Sequence, residues 1–392
     1  MDVANKPYLG ADIPKLGFGL MRLPRLHDPE LQESASSAPA GDQIDLRQTA
    51  QMVDEFLEAG FSYFDTAYGY PGSELAIAKA LVARYPREDY LLASKLPAWA
   101  GAKTAAEAEA MLTTSLERTG AGYFDFYLLH NLGQGRTKAF DDFGIWDFVQ
   151  AQKRAGLIHH VGFSIHDGPE ALEDLLKAHP EIEFVQLQIN YADWDNPAQE
   201  ARRKYEVARR YGKPVVVMEP VKGGNLVTLP THIADLLRKA NPGASLASWA
   251  VRFAASLEGV VTVLSGMSDL DQLRDNISYM RDFRPLSQAE HKTLEAVVDA
   301  LKQLDLVDCT NCGYCLASCQ QNINIPGIFE VLNMYLQFGN LDFAKGQYGW
   351  NTKVLGKAGA GACIACAKCE AVCTQALPII ERLKQARQLF ED

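Results

Sequence analysis

The chain has 392 residues, 22% of them charged and 47% hydrophobic, and a formal net charge of −11. That acidic balance argues against a general nucleic-acid binder, which needs a basic surface to meet phosphates. No apolar run reaches the ~18 residues that span a bilayer, and Met1–Leu20 lacks a basic stretch followed by an apolar core. The expectation is a cytoplasmic protein with neither a membrane nor a nucleic acid as partner.

The length suits a barrel of ~250 residues followed by a smaller unit. Short apolar runs alternate with amphipathic stretches. Candidate strands are Leu16–Met21, Tyr63–Asp65, Tyr90–Ser94, Phe124–Leu129, His160–Ser164, Phe184–Gln188, Val215–Met218 and Val260–Leu264. Between them lie helix-like segments at Leu46–Ala59, Ser73–Tyr85, Ala105–Thr119, Phe143–Ala155, Pro169–His179, Pro197–Tyr211, Leu246–Ala255 and Leu270–Met280. Strands that are nearly all apolar and alternate with helices imply a parallel sheet covered by helices. Eight such units predict an α/β fold, a closed (β/α)8 TIM barrel. No Gly-rich dinucleotide fingerprint follows the first strand, which disfavours a doubly wound sheet. His27–Ile44 has no periodicity and reads as a surface excursion.

After Asp282 the rhythm changes. Ser287–Leu304 reads as a linking helix, and all eight cysteines follow it. The domains are therefore expected at 1–285, the barrel, and 286–392, a linker helix with a small, largely helical ferredoxin-like domain. Cys309, Cys312, Cys315 and Cys319 form C-x2-C-x2-C-x3-C, and Cys363, Cys366, Cys369 and Cys373 repeat it 54 residues on. Three thiolates at that spacing can wrap three corners of a [4Fe-4S] cube, and the fourth normally serves the other cluster. Two clusters are expected, one on Cys309, Cys312, Cys315 and Cys373, the other on Cys363, Cys366, Cys369 and Cys319. Zinc or disulfides are the weaker readings, because neither calls for two copies of this run. The proline that often follows the fourth cysteine is replaced by Gln320 and Thr374.

In a barrel, residues just past the strand C-termini carry the chemistry. Asp65 ends the second strand, Lys95 the third and His130 the fourth, and Tyr68 and Tyr70 follow Asp65. That set suits carbonyl reduction. A phenol titrates near ~10, and a neighbouring ammonium would stabilise the phenolate and lower that value. A carboxylate would hold the lysine, and a histidine could orient the carbonyl oxygen.

Phe64–Glu74 (FDTAYGYPGSE), the Lys95 and His130 strand ends, Gly156–Ser164 and Val263–Asn276 resemble the aldo/keto reductases over about residues 14–282. With the cysteine repeats and Met218–Gly224, the whole chain resembles the subgroup carrying a 4Fe-4S ferredoxin-type domain. The resemblance implies that Tyr70 is the proton donor, Lys95 tunes it, Asp65 pairs with Lys95, His130 orients the substrate and Tyr68 supports. It also implies that Ser164 and Gln188 hold a nicotinamide carboxamide, with Met218 where an aromatic residue often stacks. Gly266, Ser268, Gln272, Asp275 and Asn276 fall near the adenosine end. Ser164 is followed by Ile165 and His166 rather than Asn. Gln272 stands where an arginine often grips a 2′-phosphate, and Arg274 falls on another helix face, so both NADP and NAD stay open.

The expected function is nicotinamide-dependent carbonyl reduction or alcohol oxidation in the barrel, with the clusters transferring electrons. A hydride carries two electrons and a cluster moves one, so a flavin or a redox partner protein would have to split the pair. One alternative is an ordinary reductase whose clusters are structural or sense oxidation. Another is an electron-transfer module with a silent barrel, against which the Asp65, Tyr70, Lys95 and His130 set argues. The substrate is a small carbonyl or alcohol compound, and Trp99, Trp194 and Trp350 are candidate pocket walls.

Overall fold

The computed structural model describes residues 9, 13–26, 44–133, 135–197, 199–304, 306–307, 309, 313–373 and 375–392. Eight parallel strands close into a barrel in chain order. They are β1 (Leu16–Gly19), β2 (Tyr63–Asp65), β3 (Leu91–Leu96), β4 (Phe124–Leu132), β5 (Ile158–Ile165), β6 (Phe184–Gln188), β7 (Val215–Met218) and β8 (Val260–Ser265). β1 closes on β8 through Leu16 opposite Val263 and Gly17 opposite Leu264. The barrel predicted from apolar alternation is therefore present.

Its interior is packed. Tyr63, Ala93, Phe126, Leu128, Phe184, Val216 and Leu264, each from a strand, form one buried cluster. The Tyr63 and Phe126 rings lie 5.1 Å apart, and the Phe126 and Phe184 rings 5.5 Å. Gly162 makes room for this layer, since a Cβ there would fall 2.6 Å from the Phe184 ring. Side chains two residues apart on a strand share a face. Two residues beyond Tyr63, Ala93, Leu128, Phe184 and Val216 stand Asp65, Lys95, His130, Gln186 and Met218. The apolar layer is thus the floor on which these residues, polar but for Met218, rest at the C-terminal end of the barrel.

The covering helices follow their amphipathic pattern. α1 (Leu46–Glu58) buries Met52, Val53 and Phe56, and its first turn is capped by Asp45, which accepts from Gln48 N at 2.9 Å. α2 (Ser73–Ile77) widens into a π turn over Ala78–Val82 instead of running to Tyr85 as one helix. α3 (Ala105–Thr119) stops at Gly120, whose φ of 66° suits a residue without Cβ. α4 (Thr137–Asp142), α5 (Ile145–Arg154), α6 (Pro169–Ala178), α7 (Ala201–Arg210), α8 (Thr231–Ala240), α9 (Leu246–Ala255) and α10 (Leu270–Met280) follow. α4 and α8 were not anticipated. The first is a single short stretch, and the second lies in a segment with no strand beside it to set a rhythm. Of the predicted excursion at His27–Ile44, only Ile44 lies within the described residues, bridged to Arg25.

The chain forms two compact units, Met1–Pro220 with Ala247–Ser287, and Val221–Leu246 with Gln288–Asp392. The sequence reading gave everything before 285 to the barrel, whereas residues 221–246 group with the second unit. There α8 packs on α11 (Gln288–Lys302). The second unit continues with α12 (Tyr314–Ser318), α13 (Ile325–Phe338), α14 (Leu341–Gly349), α15 (Lys368–Ala371) and α16 (Ile379–Phe390). Its core gathers Ile328, Phe329 and Leu332 of α13 with Leu383, Ala386 and Phe390 of α16. No helix among the described residues is long and apolar enough to cross a membrane.

Candidate active site and cysteine cavities

Lys95 is fully buried on β3. Its Nζ donates to Asp65 Oδ1 at 2.5 Å, to the Thr66 carbonyl at 2.8 Å and to the Tyr70 hydroxyl at 3.1 Å. The second Asp65 oxygen, Oδ2, accepts from Gln186 Nε2 at 3.2 Å. Burial pulls the Lys95 value down, but Asp65 and Tyr70 outweigh it, so the ammonium is held above its ordinary value and stays charged. Burial pushes Asp65 up, and Lys95 pulls it back.

Tyr70 is half-buried in the turn after β2. Withdrawal from water raises its phenol above 10, the Lys95 ammonium opposes that rise, and Asp65 adds to it. The expectation that Lys95 would bring the phenol below its ordinary value is corrected to this extent: the lysine lowers it, and burial wins. The Arg118 guanidinium covers the Tyr68 ring at 4.5 Å. His130 lies edge-on to Tyr70 with ring centroids 6.0 Å apart. Burial, with Lys95, His166 and Arg136 nearby, pushes His130 down to about 3, so its imidazole is neutral. Its Nδ1 is buried with no partner among the described residues.

The residues matched to a nicotinamide stand on adjacent strand ends. Ser164 Oγ accepts from Asn131 N at 2.8 Å. Gln188 pairs in register with Met218, which is half-buried and offers a polarizable apolar surface. Gln188 is also tied into a buried network that the sequence reading missed. Its Nε2 donates to Asp193 Oδ2 at 2.8 Å, its Oε1 meets His166 Nδ1 at 3.2 Å, and Asn190 Nδ2 reaches the same Asp193 oxygen at 2.8 Å. Gln186 was missed as well. Two glutamines alternating within Phe184–Gln188 were the available signal, because both point into the barrel.

At the end of β8 the candidates serve one another. Gln272 Oε1 accepts from Ser268 N at 2.9 Å, and Gln272 Nε2 donates to Asp269 Oδ2 at 2.7 Å. Asn276 Nδ2 donates to the Gln272 carbonyl at 2.8 Å, and Asn276 Oδ1 accepts from the Tyr279 hydroxyl. Gly266 follows β8 directly, and Asp275 lies on α10 beside Asn276. Arg274 forms a two-pronged ion pair with Glu55 at 2.8 and 2.7 Å.

In the second unit the cysteines line two cavities. One encloses about 360 Å3, part of it open to solvent, and is lined by Cys319, Cys363, Cys366 and Cys369 with Ile323, Ile325, Ile364 and Leu383 among its walls. The other encloses about 340 Å3 and is lined by Cys309, Cys315 and Cys373 with Ile325, Phe329 and Ile379. Cys312 lies outside the described residues. Each cavity thus combines thiols of one run with the last cysteine of the other. Soft sulfur ligands in an apolar pocket fit an iron–sulfur cluster.

A family model for the aldo/keto reductase family matches residues 15–299, and one for a 4Fe-4S dicluster domain matches residues 308–377. An aldo-keto reductase of Mycolicibacterium smegmatis is 30% identical over 165 residues, which span 42% of this chain and 48% of that protein. The uncharacterized oxidoreductase YqkF of Bacillus subtilis is 25% identical over 276 residues, covering 62% of this chain and 86% of its own. Among solved structures, an aldo-keto reductase of Bacillus halodurans in its holo form is similar at 24% identity and a TM-score of 0.58, covering 75% of this chain and 96% of that one. An aldo-keto reductase of Klebsiella pneumoniae in complex with NADPH is similar at 20% identity and a TM-score of 0.55, covering 73% and 91%. These two likenesses bear on the fold. With the barrel, the strand-end residues and the family match in agreement, the chain belongs to the aldo/keto reductase family, as an oxidoreductase that also carries a 4Fe-4S dicluster domain.

Proposed function

We propose that the barrel catalyses reversible carbonyl reduction, with Tyr70 passing the proton to the carbonyl oxygen. The observation that carries this reading is the Lys95 ammonium set between Asp65 and the Tyr70 hydroxyl. As Tyr70 gives up its proton, the phenolate gains the full attraction of a buried cation, an interaction worth more in that state than before. Asp65, itself held by Gln186, fixes the ammonium. Neutral His130 orients the carbonyl oxygen by donating a hydrogen bond. A bound nicotinamide would supply the hydride. Ser164, Gln188 and Met218 would hold its carboxamide end, and Gly266, Ser268, Gln272, Asp275 and Asn276 would line its adenosine end. NAD and NADP are both accommodated by this reading.

In the second unit, Cys309, Cys312, Cys315 and Cys373 would hold one [4Fe-4S] cluster, and Cys363, Cys366, Cys369 and Cys319 the other. Clusters so held supply one-electron chemistry, which calls for a redox partner. Cys319, Cys363, Cys366, Cys369 and Cys373 are free, which accords with a cytoplasmic setting.

The test is nicotinamide oxidation by the cluster-replete protein over a panel of aldehydes and ketones, with NADPH and NADH in turn. Carbonyl-dependent turnover is expected, falling at least ~100-fold in Tyr70→Phe. A Tyr70→Phe protein with full activity would remove the mechanism. Anaerobic titration with each nicotinamide, followed by visible absorbance and EPR, separates the two roles of the clusters. Reduced-cluster signals support electron transfer, and clusters that only dithionite reduces support a structural or sensing role.

A further inference from the structure

Beside the Tyr70 and His130 pair, the loops after β3 and β4 build a second feature that the reduction chemistry does not use. Trp99, 37% exposed, donates its indole Nε1 to the backbone carbonyl of His130 at 2.7 Å, which fixes the ring next to the histidine. The Arg136 guanidinium lies 5.8 Å from the centre of the Trp99 ring. Arg136 is not swinging in solvent. Its Nε donates to the Asn131 carbonyl at 2.7 Å and its Nη2 to Asn131 Oδ1 at 3.0 Å. Asn131 is anchored in turn, in a left-handed conformation with φ of 57° and with its N–H on Ser164 Oγ.

The result is a cation held over an aromatic plate at the barrel mouth, anchored on Asn131, the residue after His130. The two anchoring bonds end on the neutral amide oxygens of Asn131. The carboxylate acting on it is that of Asp167, which accepts from Gly168 N at 2.8 Å and lies against Gly133, where a Cβ would fall 2.6 Å from Asp167 Oδ2. Burial pulls Arg136 below its ordinary value, and Asp167 pulls the other way. The field of Arg136 reaches both His130 and His166. A polar staple for the β4 loop would not need a full charge there. A ligand anion would meet it.

We propose that Trp99 and Arg136 form a carboxylate subsite and that the carbonyl substrate is an anionic one, with a flat, apolar spacer between its reacting carbonyl and its carboxylate. The inference rests on the reductase reading of Tyr70 and His130. The spacer lies on the indole and the carboxylate meets the guanidinium, an arrangement in which a planar fork binds more strongly than a point charge.

The full-length, cluster-replete protein is tested with 4-formylbenzoate and its methyl ester, which differ in charge and little in shape. In the wild type, kcat/KM for the acid exceeds that for the ester by about tenfold or more, the size of a charge-assisted contact. The acid-to-ester ratio falls to near one in Arg136→Gln, which keeps an amide able to bond Asn131, and lies between the two in Arg136→Lys. A wild type that favours the ester, or a ratio equal in wild type and Arg136→Gln, overturns the proposal. If neither compound is turned over, that result counts against the reductase reading, and the subsite is read instead by quenching of tryptophan fluorescence with benzoate. Saturable quenching that is lost in Trp99→Phe and weakened about tenfold in Arg136→Gln supports it. Superimposable benzoate curves for the wild type and Arg136→Gln refute it.

Discussion

The Nζ of Lys95 lies 2.5 Å from Asp65 Oδ1 with both side chains out of solvent, a buried ion pair at the C-terminal end of the barrel. Removing one member leaves an uncompensated charge, which costs about 3–5 kcal/mol. Lys95→Met and Asp65→Leu are each expected to destabilise the barrel by that order. The double variant should recover much of the loss, because it buries no charge. Denaturant unfolding followed by barrel tryptophan fluorescence measures this, and a double variant as unstable as the sum of the singles would contradict it. Activity should stay lost in all three.

His130 gives a pH dependence with a definite sign. Its folded value, about 3, lies below the ordinary His value of 6.5. The unfolded chain therefore takes up a proton that the folded chain refuses, and stability present above pH ~6.5 is lost as the pH falls toward ~3. One refused proton costs at most about 2 kcal/mol by pH ~5. Glu183, pushed down to about 2 despite the opposing effect of burial by bonds from His160, Lys153 and Val161 N, adds a loss only below its ordinary 4.5. The expected outcome is a wild-type unfolding midpoint that drops between pH 6.5 and 5 more than that of His130→Gln. Parallel curves would show that the imidazole is not held neutral.

The cavities make the cysteine sets distinguishable. Cys319 shares its cavity with Cys363, Cys366 and Cys369, and Cys373 shares its cavity with Cys309 and Cys315. Cys319→Ser and Cys363→Ser should therefore perturb the same EPR signal, while Cys373→Ser and Cys309→Ser perturb the other. Each would lower iron content by up to about half. Cys319→Ser grouping with Cys309→Ser instead would show uncrossed ligation.

Arg274 is committed to Glu55 by two hydrogen bonds, and Gln272 closes the turn after β8. Neither is set to reward a 2′-phosphate. The kcat/KM values for NADPH and NADH are expected to lie within about tenfold of each other, a gap below ~1.4 kcal/mol. Arg274→Ala should shift neither by more than about threefold. A preference for NADPH above ~100-fold that collapses in Arg274→Ala would assign the arginine to the phosphate.

What the sequence by itself determined is what local chemistry writes into it. Apolar runs alternating with amphipathic stretches required a helix-covered parallel sheet, and Asp65, Lys95 and His130 stood out because each is polar at the end of an apolar strand. The two cysteine runs carried the iron–sulfur chemistry in their spacing. The tertiary structure alone decided which groups meet across the barrel. Gln186 reaches Asp65 from a strand more than a hundred residues away, and His166 meets Gln188 from the neighbouring strand end, contacts that closure of the barrel creates and no local period encodes. The grouping of residues 221–246 with the second unit was equally illegible, since nothing local in α8 names the helix it will cover. The balance at Tyr70 was also settled by structure: the sequence supplied the lysine that lowers the phenol, and only packing around the site revealed that burial outweighs it.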